Sequence, residues 1–157
     1  MKILAFDQST TACAWAYIID GALIDFGVHI PSKKYSIANR IYSVAEFVNN
    51  LTDNCKPDIV VFENVQSQSN DLTLINLSKL LGILEYTVYK LGIKCVVLSP
   101  SMWRAHFGFG KSVDGVKPKR AELKALAIKY VLDTYKVECS EDECEAICIG
   151  IAAGGLL

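Results

Sequence analysis

The chain has 157 residues, 52% of them hydrophobic and 21% charged, which suits one well-buried domain over residues 1–157 and excludes an intrinsically disordered protein. No stretch of about 18 apolar residues is present, so a membrane is not an expected partner. The formal net charge is only −1, which excludes a uniformly basic protein and makes the distribution of charge the informative quantity.

The first apolar run, Ile3-Leu4-Ala5-Phe6, predicts a strand over 2–7 that begins too early to leave room for a signal peptide. Strands over 12–19 and 22–30 follow, joined at Asp20-Gly21, a dipeptide suited to a two-residue hairpin. A helix over 36–54 would place Ile37, Ile41, Val44, Ala45, Val48 and Leu51 on one face. Pro57-Asp58 then opens a fourth strand, Ile59-Val60-Val61-Phe62, which ends at Glu63. A long helix over 71–91 is closed by Gly92 and followed by a strand over 94–98. Residues 99–116 predict a loop with one helical turn near Trp103. A helix over 117–135 carries Pro118 in its first turn, and a last helix covers 141–154. An antiparallel hairpin, a parallel extension and interleaved helices describe an α/β protein of ribonuclease H-like architecture, a five-stranded mixed sheet flanked by helices.

The long helix has two apolar stripes. Leu74, Leu77, Leu80, Leu81, Leu84, Val88 and Leu91 form a broad face that should cover the sheet. Ile75, Gly82, Tyr86 and Tyr89 form a narrower one, which fits either a loop of the same chain or a subunit interface.

Four acidic residues stand where an open sheet exposes its chemistry. Asp7 and Glu63 each end an apolar run, and ligands gather beyond the carboxyl ends of such strands. At the last helix, Ser140 and Glu143 form a capping box, and Glu141 and Glu143 are first-turn acids that suit the helix dipole. Asp142 and Glu145, three apart, share another face and remain as candidate metal ligands. Carboxylates gathered this way repel one another and call for a hard cation such as Mg²⁺ or Mn²⁺. Such a cluster is the usual machinery of phosphodiester hydrolysis. Beside it, Arg104, Lys111, Lys117, Lys119, Arg120, Lys124 and Lys129 make a basic segment opposed only by Asp114 and Glu122. Basic residues next to an acidic pocket are what a nuclease needs to grip phosphates. The six cysteines show no paired C-x-x-C spacing, and with no secretion signal they are expected as free thiols.

These residues carry a resemblance. Ile3-Leu4-Ala5-Phe6-Asp7-Gln8-Ser9-Thr10, Val61-Phe62-Glu63-Asn64-Val65, Leu77-Ser78-Lys79-Leu80-Leu81-Gly82, Pro100-Ser101-Met102-Trp103-Arg104, Lys117-Pro118-Lys119-Arg120-Ala121-Glu122-Leu123-Lys124 and Asp142-Glu143-Cys144-Glu145-Ala146 follow one another as in the RuvC family of Holliday-junction resolvases, and the chain resembles the short phage-type branch. The resemblance implies a structure-selective endodeoxyribonuclease acting on four-way junctions and other branched DNA. It places two Mg²⁺ ions, for which Mn²⁺ can substitute, on Asp7, Glu63, Asp142 and Glu145 as catalytic residues. Lys111, Lys117, Lys119, Arg120, Lys124 and Gln66 are then the expected DNA contacts, with Lys117 and Lys119 nearest the reacting phosphate. A junction offers two equivalent strands, so the resemblance also implies a homodimer, with the stripe of Ile75, Gly82, Tyr86 and Tyr89 as its contact. The implied setting is the cytoplasm of a bacterial or phage-infected cell.

Two positions depart from the family pattern: Glu145 stands where Asp is usual, and Gln66 stands where many members carry an aromatic. Two other functions are compatible with parts of the chain. One is a branched-DNA binder of the same fold without activity. The other is a sugar kinase of the actin-like superfamily, whose first phosphate loop Phe6-Asp7-Gln8-Ser9-Thr10-Thr11 resembles, although the length and the late glycine-rich motif of such kinases are missing.

Overall fold

The computed structural model describes residues 1–66, 70–112 and 116–157. Strands β1 (Lys2–Gln8), β2 (Cys13–Ile19), β3 (Ala22–His29), β4 (Ile59–Glu63) and β5 (Lys94–Leu98) form one sheet in the order β3-β2-β1-β4-β5. The first three are antiparallel neighbours, while β4 and β5 extend the sheet in parallel from β1. The β2–β3 turn uses Asp20 at φ 49° and Gly21 at φ 81°, the doubly positive pattern that an Asp-Gly hairpin turn requires.

Helices α1 (Ile37–Cys55) and α2 (Asp71–Lys90) cover one face of the sheet; α3 (Pro100–His106), α4 (Arg120–Tyr135) and α5 (Glu141–Leu156) cover the other. The two-residue period of a strand divides the core between them. Leu4 and Phe6 of β1, with Val60 and Phe62 of β4, pack against Val44, Val48, Leu80, Leu84 and Val88. Ile3 and Ala5, with Ile59 and Val61, pack against Ala146, Ile147, Ile149 and Ala153 of α5. Ile3 pairs with Ile59 and Phe6 with Phe62, so the next residues, Asp7 and Glu63, reach the strand ends at one level and with the parity of the α5 face.

The close seat of α5 depends on a missing side chain. A Cβ at Gly150 would collide with Ile18 Cδ1 and stand 3.1 Å from the Ala5 Cβ. The expected small residues on this helix therefore lie in the contact with the sheet, with Ala146 and Gly150 both buried.

Helix starts follow their caps. The Ser36 hydroxyl accepts from the Asn39 N–H at 3.2 Å, the Asn70 carboxamide oxygen from Leu72 at 2.9 Å, and Ser140 with Glu143 closes a capping box at α5. Three expectations need correction. The turn near Trp103 is a seven-residue helix, α3, started by the Ser99 cap and Pro100. Helix α4 begins at Arg120, leaving Lys117 and Pro118 ahead of it, because the Glu122 carboxylate reaches back to accept from the Lys119 backbone N–H at 2.6 Å. Finally, Cys139 and Cys144 form a disulfide, whereas Cys13, Cys55, Cys95 and Cys148 are free thiols as expected. The bonded pair brackets the Ser140 cap at the two positions where a hydrophobic staple normally packs, and so replaces the staple with a covalent link.

On α2, Leu80, Leu81, Leu84 and Val88 are buried as the broad stripe requires. Among the described residues nothing covers the second stripe: Ile75 is 48% exposed, Tyr86 61% and Tyr89 75%, and a Cβ on Gly82 would meet nothing within 4 Å. On α1, Ile37 is exposed and not part of the core face. No helix among the described residues is long and apolar enough to cross a membrane.

Candidate active site

Residues from three distant segments meet at the carboxyl ends of β1 and β4. Helix α5 lies across β1 and brings its first turns over Asp7. Carboxylate oxygens of Asp7, Asp142 and Glu145 all lie within 4.8 Å of one another. Glu63 stands at the edge of this group, with its Oε1 accepting a hydrogen bond from the Trp103 indole N–H at 2.7 Å. All four line one cleft of about 450 Å³.

The cluster is electrostatically unfavourable without a cation. Burial pushes the Asp7 carboxyl well above the usual carboxylate range, and the charges of Glu63, Glu145 and Asp142 push it further, with Lys124 opposing. Burial also raises Glu63, against the hydrogen bond from Trp103. The Arg104 guanidinium donates to Glu145 Oε1 at 3.0 Å, offsetting one buried charge. Gln8 donates through Nε2 to the Glu63 backbone carbonyl at 2.6 Å, while its Oε1 is buried without a hydrogen-bond partner among the described residues. Four carboxylates and an unpartnered amide oxygen form an oxygen-only donor set, which fits a hard divalent cation and not a soft one.

The expected cations divide between two cavities. Arg120 and Lys124 line the carboxylate cleft together with Arg104. Lys111 and Lys117 line an adjoining cavity of about 460 Å³, which shares Arg104, Gln66 and Leu123 with the first. Lys119 is exposed at the start of α4 and lines neither cavity, so Arg104, Arg120 and Lys124 stand nearer the carboxylates than Lys117 and Lys119 do. Lys124 is also ion-paired with Glu141. Glu143 is held by its cap, with Oε2 2.8 Å from the Ser140 N–H. Residues 67–69 of the polar run after Gln66, and Asp114 of the basic segment, lie outside the described residues.

Trp103 and Arg104 were legible only as part of a motif. What gives them a role is their partners, 40 and 41 residues away in the chain.

No protein-family model matches the chain. It is 22% identical to the crossover junction endodeoxyribonuclease RuvC of Clavibacter sepedonicus over 160 aligned positions, covering 98% of this chain and 75% of that one. It is 23% identical to the same-named protein of Mycobacterium tuberculosis, covering 82% and 71%, and 26% identical to that of Renibacterium salmoninarum, where it spans 57% of the relative's length. Among solved structures, Thermus thermophilus RuvC in complex with a Holliday junction substrate superposes with a TM-score of 0.76 at 12% identity, over 97% of this chain and 91% of that one. The fowlpox virus resolvase, solved with Holliday junction DNA, gives 0.67 at 17%, over 99% and 97%. The fold is thus ribonuclease H-like, with its acidic residues gathered at the strand ends. Within that class, the chain is similar along most of its length to proteins named crossover junction endodeoxyribonuclease RuvC.

Proposed function

We propose that this chain is a metal-dependent, structure-selective endodeoxyribonuclease that resolves four-way DNA junctions. The observation that supports it most is the convergence of Asp7, Asp142 and Glu145 within 4.8 Å, with Glu63 beside them and cations on the rim. Four carboxylates alone would repel a phosphodiester; bound divalent ions would offset that repulsion, and Arg104, Arg120 and Lys124 on the same cleft would attract the phosphates.

In this reading Asp7 is central, with Glu63 on one side and Asp142 and Glu145 on the other, holding two Mg²⁺ ions or Mn²⁺ in their place. The ions, when bound, would supply an activated water and neutralise charge on the leaving oxygen. Arg120, Lys124, Lys111 and Lys117 grip phosphates along the two cavities, with Lys119 and Gln66 at their margins. A homodimer joined through Ile75, Gly82, Tyr86 and Tyr89 would present two sites to the two equivalent strands. The exposure of that stripe supports this contact over cover by the same chain. The working form is a single nuclease domain in a cytoplasmic setting.

The test is a gel assay of the protein on a synthetic four-way junction, a fork and a linear duplex, with Mg²⁺ and with EDTA. Mg²⁺-dependent incision of the junction, absent in Asp7→Asn, is the expected outcome. Tight junction binding without incision would favour the inactive binder, and ATP turnover would favour the kinase.

A further inference from the structure

Both glutamates of the site are tied to the same short helix. Strand β5 pairs Leu98 with Glu63, and α3 begins two residues later. Trp103 therefore descends beside the end of β4, where it is fully buried, and a buried indole N–H needs an acceptor. Its acceptor is Glu63 Oε1. The indole is fixed from two sides: Phe109 meets it edge-on at 6.5 Å between centroids, and the Arg104 guanidinium carbon lies 4.7 Å from the ring centroid. The same Arg104 donates to Glu145 Oε1. In each glutamate one oxygen is committed to α3 and the second remains to meet a cation.

We propose that Trp103 is a positioning residue of this site, whose indole N–H holds Glu63 by one oxygen and so sets where its other oxygen meets a divalent ion. The inference rests on the nuclease reading above. The indole does not line the carboxylate cleft; it acts through Glu63. A neutral donor also has a sign that Arg104 lacks, since removing a cation from an acidic cluster would alter metal affinity through charge alone.

The experiment is calorimetric titration of Mn²⁺ into wild type and Trp103→Phe without DNA, with junction binding in EDTA and the unfolding midpoint measured alongside. Phe keeps the ring packing and removes the N–H. Mn²⁺ affinity should fall about 10–100-fold, as for other outer-shell partners of metal ligands. Junction binding in EDTA should be unchanged, and incision should recover at saturating Mn²⁺. In a Glu63→Gln background the same substitution should cost much less, since the carboxylate it positions is gone. Wild-type Mn²⁺ affinity in a folded Trp103→Phe protein would overturn the proposal. Should that variant not fold, Trp15→Phe leaves Trp103 as the sole indole, and its emission should change on titration with diamagnetic Mg²⁺; no change at saturation would equally overturn it. A wild type that binds no divalent ion would instead refute the nuclease reading.

Discussion

Replacing Asp7 by Asn should abolish incision and at the same time make the metal-free protein more stable. At 4.8 Å, two full charges repel by about 3.5 kcal/mol at an effective dielectric constant of about 20. Asp7 faces two such partners at no more than that distance, besides Glu63. Taking up a proton limits the cost. Holding a carboxyl neutral costs about 1.4 kcal/mol for each pH unit above about 3.9, hence at most about 4 kcal/mol at pH 7 and about 1.5 kcal/mol at pH 5. The sign follows from linkage. The folded state holds the Asp7 proton more tightly than the unfolded state, so this contribution is most favourable below about pH 4. It is lost as pH rises toward the folded-state value. Asn keeps the shape and removes the charge. Urea unfolding in EDTA should show Asp7→Asn more stable than wild type by about 1–4 kcal/mol at pH 7, with the gap shrinking toward pH 5. Saturating Mg²⁺ should close or reverse the gap, since a ligand at 100 times its Kd stabilises the native state that binds it by about 2.7 kcal/mol. A variant no more stable than wild type at pH 7 in EDTA, or a gap independent of pH, would refute the reasoning.

Gly82→Glu should place a charge in the proposed α2 contact while leaving the fold intact, since the position opens to free space. Light scattering should then report one chain where wild type reports two, and paired incision should become isolated nicks; a dimeric Gly82→Glu protein would rule out this contact. Lys117→Ala should weaken junction binding evenly across sequences and reduce the slope of log affinity against log salt by about one unit. An unchanged slope would remove Lys117 from the phosphate contacts.

The sheet and the four acids were legible because their signals are local. Apolar runs ending in Asp7 and Glu63 mark strand ends, and Ser140 with Glu143 marks a helix start that separates capping acids from Asp142 and Glu145. The connections of the site to its surroundings were not legible. Trp103 finds Glu63, and Arg104 finds Glu145, only because β5 aligns with β4 and α5 lies across the sheet. The start of α4 was misplaced because Pro118 suits a first helical turn, whereas Lys119 is a poor N-cap by type and is served instead by Glu122. The disulfide escaped because a five-residue spacing has no meaning until the cap between Cys139 and Cys144 folds the chain back.

The shared parity of Asp7 and Glu63 makes the site behave like a reading frame. One residue inserted in β4 ahead of Glu63 would turn its carboxylate toward α1 and α2 and turn Phe62 toward α5, so chemistry and core would fail together. Two inserted residues would restore the face but shift the carboxylate about 6.6 Å along the strand, beyond the reach of its partners. Length change in this chain should thus be tolerated only in the segments between strands, and a graft of this site onto another sheet must copy the register of two strands before it copies any side chain.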